Sequence, residues 1–247
     1  METLMKDFLQ DLVTHTHSLG FIPLVKIISS DKETMVESIA DDRSVVLNAK
    51  THSPVADLDG TFGMPNLNKL DIHLRCPEYK DNAKINVVKQ NRNNEVVPTG
   101  LHFENATGDF ENDYRFMSME IINDRLKTAK LKNINWDIEF EPNLGSVNRL
   151  KFQAQAHSEE ETFQVKTENG NLVFQFGDAS THAGSFVFQQ GITGKLKQVW
   201  AWPVSKVQSI LNLPGDISIK ISDGGAMQIT VDSGIAEYNY ILPAYSK

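Results

Sequence analysis

The chain has 247 residues and a mass of 27.7 kDa, enough for one large β domain or two domains of roughly 100–130 residues each. With 40% hydrophobic and 23% charged residues, 9 Pro and 15 Gly, it is neither disordered nor collagenous. Lys and Arg number 24 against 32 Asp and Glu, a formal charge of −8; this excludes a basic coat for nucleic acid but leaves room for a local basic face. The single Cys76 rules out an intrachain disulfide and a thiolate metal cluster, and makes a reducing compartment the expectation. No apolar run approaches the ~18 residues of a membrane span. The opening METLMKDFLQDLV mixes charges into its apolar residues, unlike a secretory leader. The expectation is a soluble, cytoplasmic protein.

Helical signals are few. In the opening segment Leu4, Met5, Phe8, Leu9, Leu12 and Val13 make one apolar stripe, and Gly20 closes it. A short helix is predicted over 64–74, with Pro65 near its first turn and Leu67, Leu70 and Leu74 on one side. Another is predicted over 144–154 on Val147, Leu150 and Ala154, with Phe152 off the stripe. A fourth follows Pro203, carrying Val204, Val207 and Leu211, and stops at Pro214-Gly215. The rest reads as strand: FIPLVKII, ETMVESIA, SVVLNAK, LKQVWAW, DISIKIS, AMQITV and AEYNYIL. ETFQVKT-ENG-NLVFQF reads as a hairpin whose Asn169-Gly170 suits a type I′ turn, and Asp223-Gly224 marks a second turn. Short helices among many strands predict an α+β fold of antiparallel sheets.

An internal repeat organises these elements. Residues 62–90 and 201–222 both run Pro, short amphipathic helix, turn, alternating strand. They superpose Leu67, Leu70 and Leu74 on Val204, Val207 and Leu211. NATGDFENDYRF (105–116) is similar to VDSGIAEYNYIL (231–242), pairing Gly108 with Gly234 and Tyr114 with Tyr240. The division expected is a domain over 1–116, a connector over 117–141 and a similar domain over 142–247.

Two tandem domains, each of antiparallel sheet with two short helices, resemble the DNA polymerase sliding clamps. The likeness is nearest to the tailed-phage clamps and more distant to proliferating cell nuclear antigen. It is carried by ADLDGTFGMPNLNKLDIHL at 56–74, ETFQVKTENGNLVFQF at 161–176 and GAMQITVDSGIAEYNYILPA at 225–244. The resemblance implies a homotrimeric ring around double-stranded DNA, helices lining the hole and sheets outside. An ATPase clamp loader would place the ring and a DNA polymerase would be tethered by it, with no catalysis and no cofactor. A phage origin would put it in the host bacterial cytoplasm.

If each helix buries its stripe, its opposite side meets phosphate. Lys69 and Lys206 lie about 200° around the helix from Leu67 and Val204, at equivalent repeat positions, and Arg149 lies about 200° from Val147. Lys6 flanks the first helix's stripe, where Asp7 and Asp11 stand opposite. The C-terminal Leu242, Pro243, Ala244 and Tyr245 resemble the tail that borders the clamps' pocket for partner peptides. The connector carries Arg125, Lys127, Lys130 and Lys132.

Enzyme motifs are not found. His15-x-His17 points to two sides of a helix, and there is no G-x-S-x-G or G-x-G-x-x-G. Trp200 and Trp202 share one strand face and suit core packing better than base stacking. The competing reading is a β-rich structural or assembly subunit, such as a virion protein. The duplicated helices argue against it.

Overall fold

The computed structural model describes residues 2–80, 83–92, 95–126, 133–178, 180 and 182–245. Contacts divide the chain into two units: Met1–Ala129 with Ser233–Tyr238, and Lys130–Asp232 with Asn239–Lys247.

In the first unit, α1 (Glu2–Thr14) precedes β1 (Val25–Ser29), β2 (Thr34–Ile39), β3 (Val46–Thr51) and β4 (Gly60–Met64). Then come α2 (Leu67–Arg75), β5 (Lys84–Arg92), β6 (Glu95–Glu104), β7 (Glu111–Arg115) and a connector helix, α3 (Met119–Arg125). The strands lie in the orders β4-β1-β2-β3 and β5-β6-β7, antiparallel throughout.

The second unit opens with β8 (Ile138–Phe140), then α4 (Leu144–Ala156), β9 (Thr162–Glu168), β10 (Asn171–Phe176), β11 (Gly184–Gln189) and β12 (Trp200–Pro203). It continues with α5 (Val204–Leu211), β13 (Asp216–Ser222), β14 (Ala226–Asp232) and β15 (Ala236–Pro243), whose first residues belong to the first unit. Its orders are β12-β9-β10-β11 and β15-β14-β13-β8. Helix, three strands, fourth strand, helix, three strands therefore occurs twice, with the fourth strand beside the first both times. The repeat read from Leu67 and Val204 is thus a repeat of topology.

The predicted stripes are the buried ones. Met5, Phe8, Leu9, Leu12 and Val13 of α1 are buried, as are Leu67, Leu70 and Leu74 of α2. Val147 and Leu150 anchor α4, and Val204, Val207, Ile210 and Leu211 anchor α5. Phe152, off its stripe, is 66% exposed. Asn169 and Gly170 have φ of 50° and 76°, both positive as a type I′ hairpin requires. Gly108 and Gly234, paired by the repeat, have φ of 75° and 83°. In the second turn the left-handed residue is Gly225 rather than Gly224, with φ 81°. A Cβ on Gly225 would fall 2.9 Å from the Trp200 ring.

Three features depart from the reading of the sequence. The connector contains α3, which buries Ile122; Gly63 of β4 lies so close that a Cβ would sit 2.8 Å from Ile122 Cδ1. β6, over which the sequence assigns no element, is the central strand of three despite Pro98, because the register shifts beside it, between Val88 and Lys89. Asp11, expected on the open side of α1, is instead a structural acceptor. Its Oδ2 receives the hydroxyls of Ser233 at 2.9 Å and Tyr238 at 2.8 Å, and its Oδ1 lies 3.1 Å from His15 Nδ1. His15, 1% exposed, stacks on Tyr238 with ring centroids 4.5 Å apart.

The largest correction is Leu242. Its apolar surface is not available at the end of the last strand: it is 0% exposed, and its carbonyl accepts the Trp202 indole N–H at 3.1 Å. The alternation of β15 turns Leu242 towards the core beside a fully buried Trp202. Leu242→Ala should therefore cost about 2–5 kcal/mol of stability, read as a lowered midpoint in urea unfolding.

Candidate nucleic-acid and partner interfaces

Burying Leu67, Leu70 and Leu74 turns the other side of α2 to solvent. Lys69 is exposed there, together with Ile72 (59% exposed) and Arg75, which pairs with Asp71 one turn back. His73, on the same helix, stacks on Phe103 with centroids 5.1 Å apart. Burial, and then the Lys69 ammonium, hold the His73 imidazole below its usual range. On α5 the equivalent Lys206 is half-buried, and on α4 Arg149 and Lys151 are exposed. Lys151 escaped the reading of the sequence because it flanks the stripe rather than opposing it.

Lys6 has a different position. Its ammonium donates to the carbonyls of Tyr79 at 3.0 Å and Lys80 at 2.8 Å, closing the 3-10 turn Pro77–Tyr79 against α1. Its charge is engaged in holding the first unit together. Arg125 ends α3; Lys127, Lys130 and Lys132 lie outside the described residues.

The C-terminal segment is held in place. The Ala244 N–H donates to Gly225 O and the Tyr245 N–H to Ala201 O, each at 2.9 Å. Pro243 is exposed and Tyr245 is 48% exposed; Val199, just before β12, is 47% exposed. Trp200, half-buried, donates its indole N–H to Asp223 O at 3.2 Å. Nearby, an open cleft of about 500 Å³ lies between connector residues Asn133, Ile134 and Asp137 and the turn Ser222–Gly224. The Asp137 N–H donates to Ile221 O at 3.0 Å, and Asp137 Oδ2 accepts the Asp223 N–H at 2.7 Å, so the connector is fixed to this turn. The first unit has its own groove of about 600 Å³ where α3 ends, bordered by Pro23, Leu24, Arg43, Asn66, Arg125 and Leu126. Two stretches of the connector, one through Arg125 and one through Ile134, thus each border a cleft.

Among the described residues no His, Cys, Asp and Glu group is arranged to hold a metal ion, and no helix is long and apolar enough to cross a membrane. No protein-family model and no curated protein matches the chain. Solved structures do. The PCNA of A. fulgidus, in a structure with the C-terminal region of FEN-1 bound to it, aligns with 98% of this chain and 96% of its own at a TM-score of 0.71 and 9% identity. PCNA from Thermococcus kodakaraensis aligns with 97% of each chain at a TM-score of 0.62 and 11% identity. The chain has the sliding-clamp fold. At these identities the likeness is one of fold, carried by the duplicated topology and extending over nearly the whole chain.

The depressed His73 has a consequence for stability. Its unfolded-state value is about 6.5 and its folded value lower, so between the two the unfolded chain binds more protons. Stability should therefore fall as pH drops below about 6.5, and His73→Gln should flatten that part of a stability-against-pH curve measured by chemical unfolding.

Proposed function

We propose that the chain is a DNA sliding clamp: a non-catalytic homotrimer that encircles duplex DNA without reading sequence and tethers a DNA polymerase after an ATPase clamp loader has placed it. The observation that carries this reading is the pair Lys69 and Lys206, 137 positions apart, on the outward sides of helices whose buried sides are equivalent by the repeat. Duplication of the cation along with the core is what a ring needs if each domain is to present charge to the same duplex. Contacts of Lys with phosphate hold DNA without specificity and weaken with salt. Replacing Lys69 and Lys206 together with Glu should cut product length on primed circular DNA, most at low salt where these contacts are strongest, while unfolding midpoints stay unchanged. Undiminished processivity removes these residues from the lining.

Two strands support the trimer. β7 ends its sheet in the first unit and β11 ends its sheet in the second. Unpaired edges invite partners, and two different edges on one chain favour head-to-tail contact between copies, which closes into a ring when the rotation allows. Light scattering should give three times 27.7 kDa.

Partners would dock in the second unit, where Pro243, Tyr245, Val199 and the cleft beside Asp137 form an exposed, partly apolar surface. A ring that slides cannot bind DNA tightly, so its useful affinity is for proteins, and a shallow groove suits short hydrophobic tails. Tyr245→Ala with Val199→Asp should reduce binding of the polymerase's tail peptide at least about tenfold, since anchoring aromatics dominate such interfaces, with the oligomer's mass unchanged.

A further inference from the structure

The repeat that duplicates the helices also duplicates the sheets beside them, with one strand left over. Pairing 105–116 with 231–242 makes Phe103 the counterpart of Ile229, and Leu101 that of Met227. On the next strand Phe103 and Leu101 face Ile85 and Val87 of β5. In the same way Ile229 and Met227 face Ile219 and Ile221 of β13. β5 and β13 are therefore counterparts, residue for residue. Beyond β13 the second unit adds β8, antiparallel, with Phe140 opposite Ile219, Glu139 opposite Lys220 and Ile138 opposite Ile221. Beyond β5, among the described residues, no strand follows, and the sheet ends there.

Burial records the difference. Ile219 and Ile221 are 1% and 0% exposed, and Ile138 beside them is 1% exposed. Ile85 and Val87 are half-buried, although their β6 partners Phe103 and Leu101 are fully buried. Apolar surface that β8 removes from water in the second unit stays wet in the first. The backbone is open as well. In an antiparallel ladder alternate residues direct N–H and C=O away from the partner strand, and among the described residues no backbone hydrogen bond joins 85–88 to any segment but β6. The register shift between Val88 and Lys89 bends the strand at that point, so the straight edge ends there. What precedes it is long enough for a strand like β8, which has 3 residues.

We propose that the outer edge of β5 is a docking site for an extended segment of another protein, which adds to the sheet as a fourth strand antiparallel to β5. The second unit describes that segment. It carries two large apolar side chains two positions apart, facing Ile85 and Val87 as Phe140 and Ile138 face Ile219 and Ile221, with an acidic residue between them. In the second unit the middle residue is Glu139, whose Oε1 lies 3.0 Å from Lys220 Nζ. Asn86 holds the position of Lys220, so its amide can donate to a carboxylate there, and Lys89 is exposed at the end of the edge. Main-chain bonds along the edge supply affinity. The two apolar contacts supply register, because a slip by one residue turns both to the other face. The proposal needs the duplicated topology and not the ring, so it stands or falls separately from the clamp reading.

The probe is a fluorescein-labelled peptide of residues 135–142, NWDIEFEP, titrated into the full chain by fluorescence anisotropy, with hydrogen exchange followed on the same mixture. Saturable binding is expected, with amide protection gained at 85–88. Ile138→Lys in the peptide should weaken binding by at least about tenfold, since it sets an ammonium against the apolar ledge. This change leaves the protein untouched, so its folding does not enter. Ile85→Lys in the protein should act in the same direction with circular dichroism unchanged. A peptide that does not saturate by about 1 mM, or that binds equally well with Ile138→Lys, overturns the proposal. So does protection gained at 216–222 instead, where the peptide would have replaced the chain's own β8. Protection at 85–88 that rises with the concentration of the chain alone gives the edge to a second copy and overturns it too.

Discussion

The short helix that ends the first part of each half sets the direction of everything charged. In α2 and α5 three apolar residues at equivalent positions must leave water: Leu67, Leu70 and Leu74 in one, Val204, Val207 and Leu211 in the other. Burying three such side chains contributes several kcal/mol per helix, far more than a single exposed ammonium gains or loses by its placement. The hydrophobic stripe therefore decides the rotation of the helix, and Lys69 and Lys206 take the side that remains. Their placement on the side away from the stripe follows from packing, at equivalent positions of the two helices.

This is also why so much was legible in the sequence. The stripe has a period, and the period identifies the helix, its buried side and its open side together. The hairpin at Asn169-Gly170 was legible for a similar reason: positive φ at two successive residues is costly for most side chains, so Asn-Gly between alternating runs has few other uses. The repeat was legible because Pro, helix, turn and strand recur in one order, and the structure extends it to the strand orders β4-β1-β2-β3 and β12-β9-β10-β11.

What failed to show were features that depend on contact across long stretches of chain. By its neighbours Pro243 and Ala244, Leu242 reads as part of an exposed tail. Its environment is set by Trp202, forty residues earlier, whose indole N–H reaches its carbonyl. Lys6 and Asp11 read as a cation and an anion on an open helix surface; their partners are carbonyls of Tyr79 and Lys80, and hydroxyls of Ser233 and Tyr238. α3 has almost no stripe, burying Ile122 within its seven residues, and it depends on the missing Cβ of Gly63. β11 lacks polar alternation because Phe186 and Phe188 belong to an aromatic cluster with Phe174. In each case the deciding partner lies outside any window a local pattern spans.

The two halves are least alike where they meet their surroundings, and that difference bears on assembly. β7 and β15 are counterparts, yet β15 continues into residues pinned to Ala201 and Gly225, whereas β7 has a partner strand on one side alone. In an antiparallel pair of β7 edges only one residue can face its own copy: centred on Asp113, the two Asp113 carboxylates oppose each other while Glu111 faces Arg115, so the edge does not specify a symmetric pair. Chains with two unlike, mutually fitting edges add in one direction, and such growth either continues as a filament or closes on itself. Which of the two occurs depends on the rotation between successive copies.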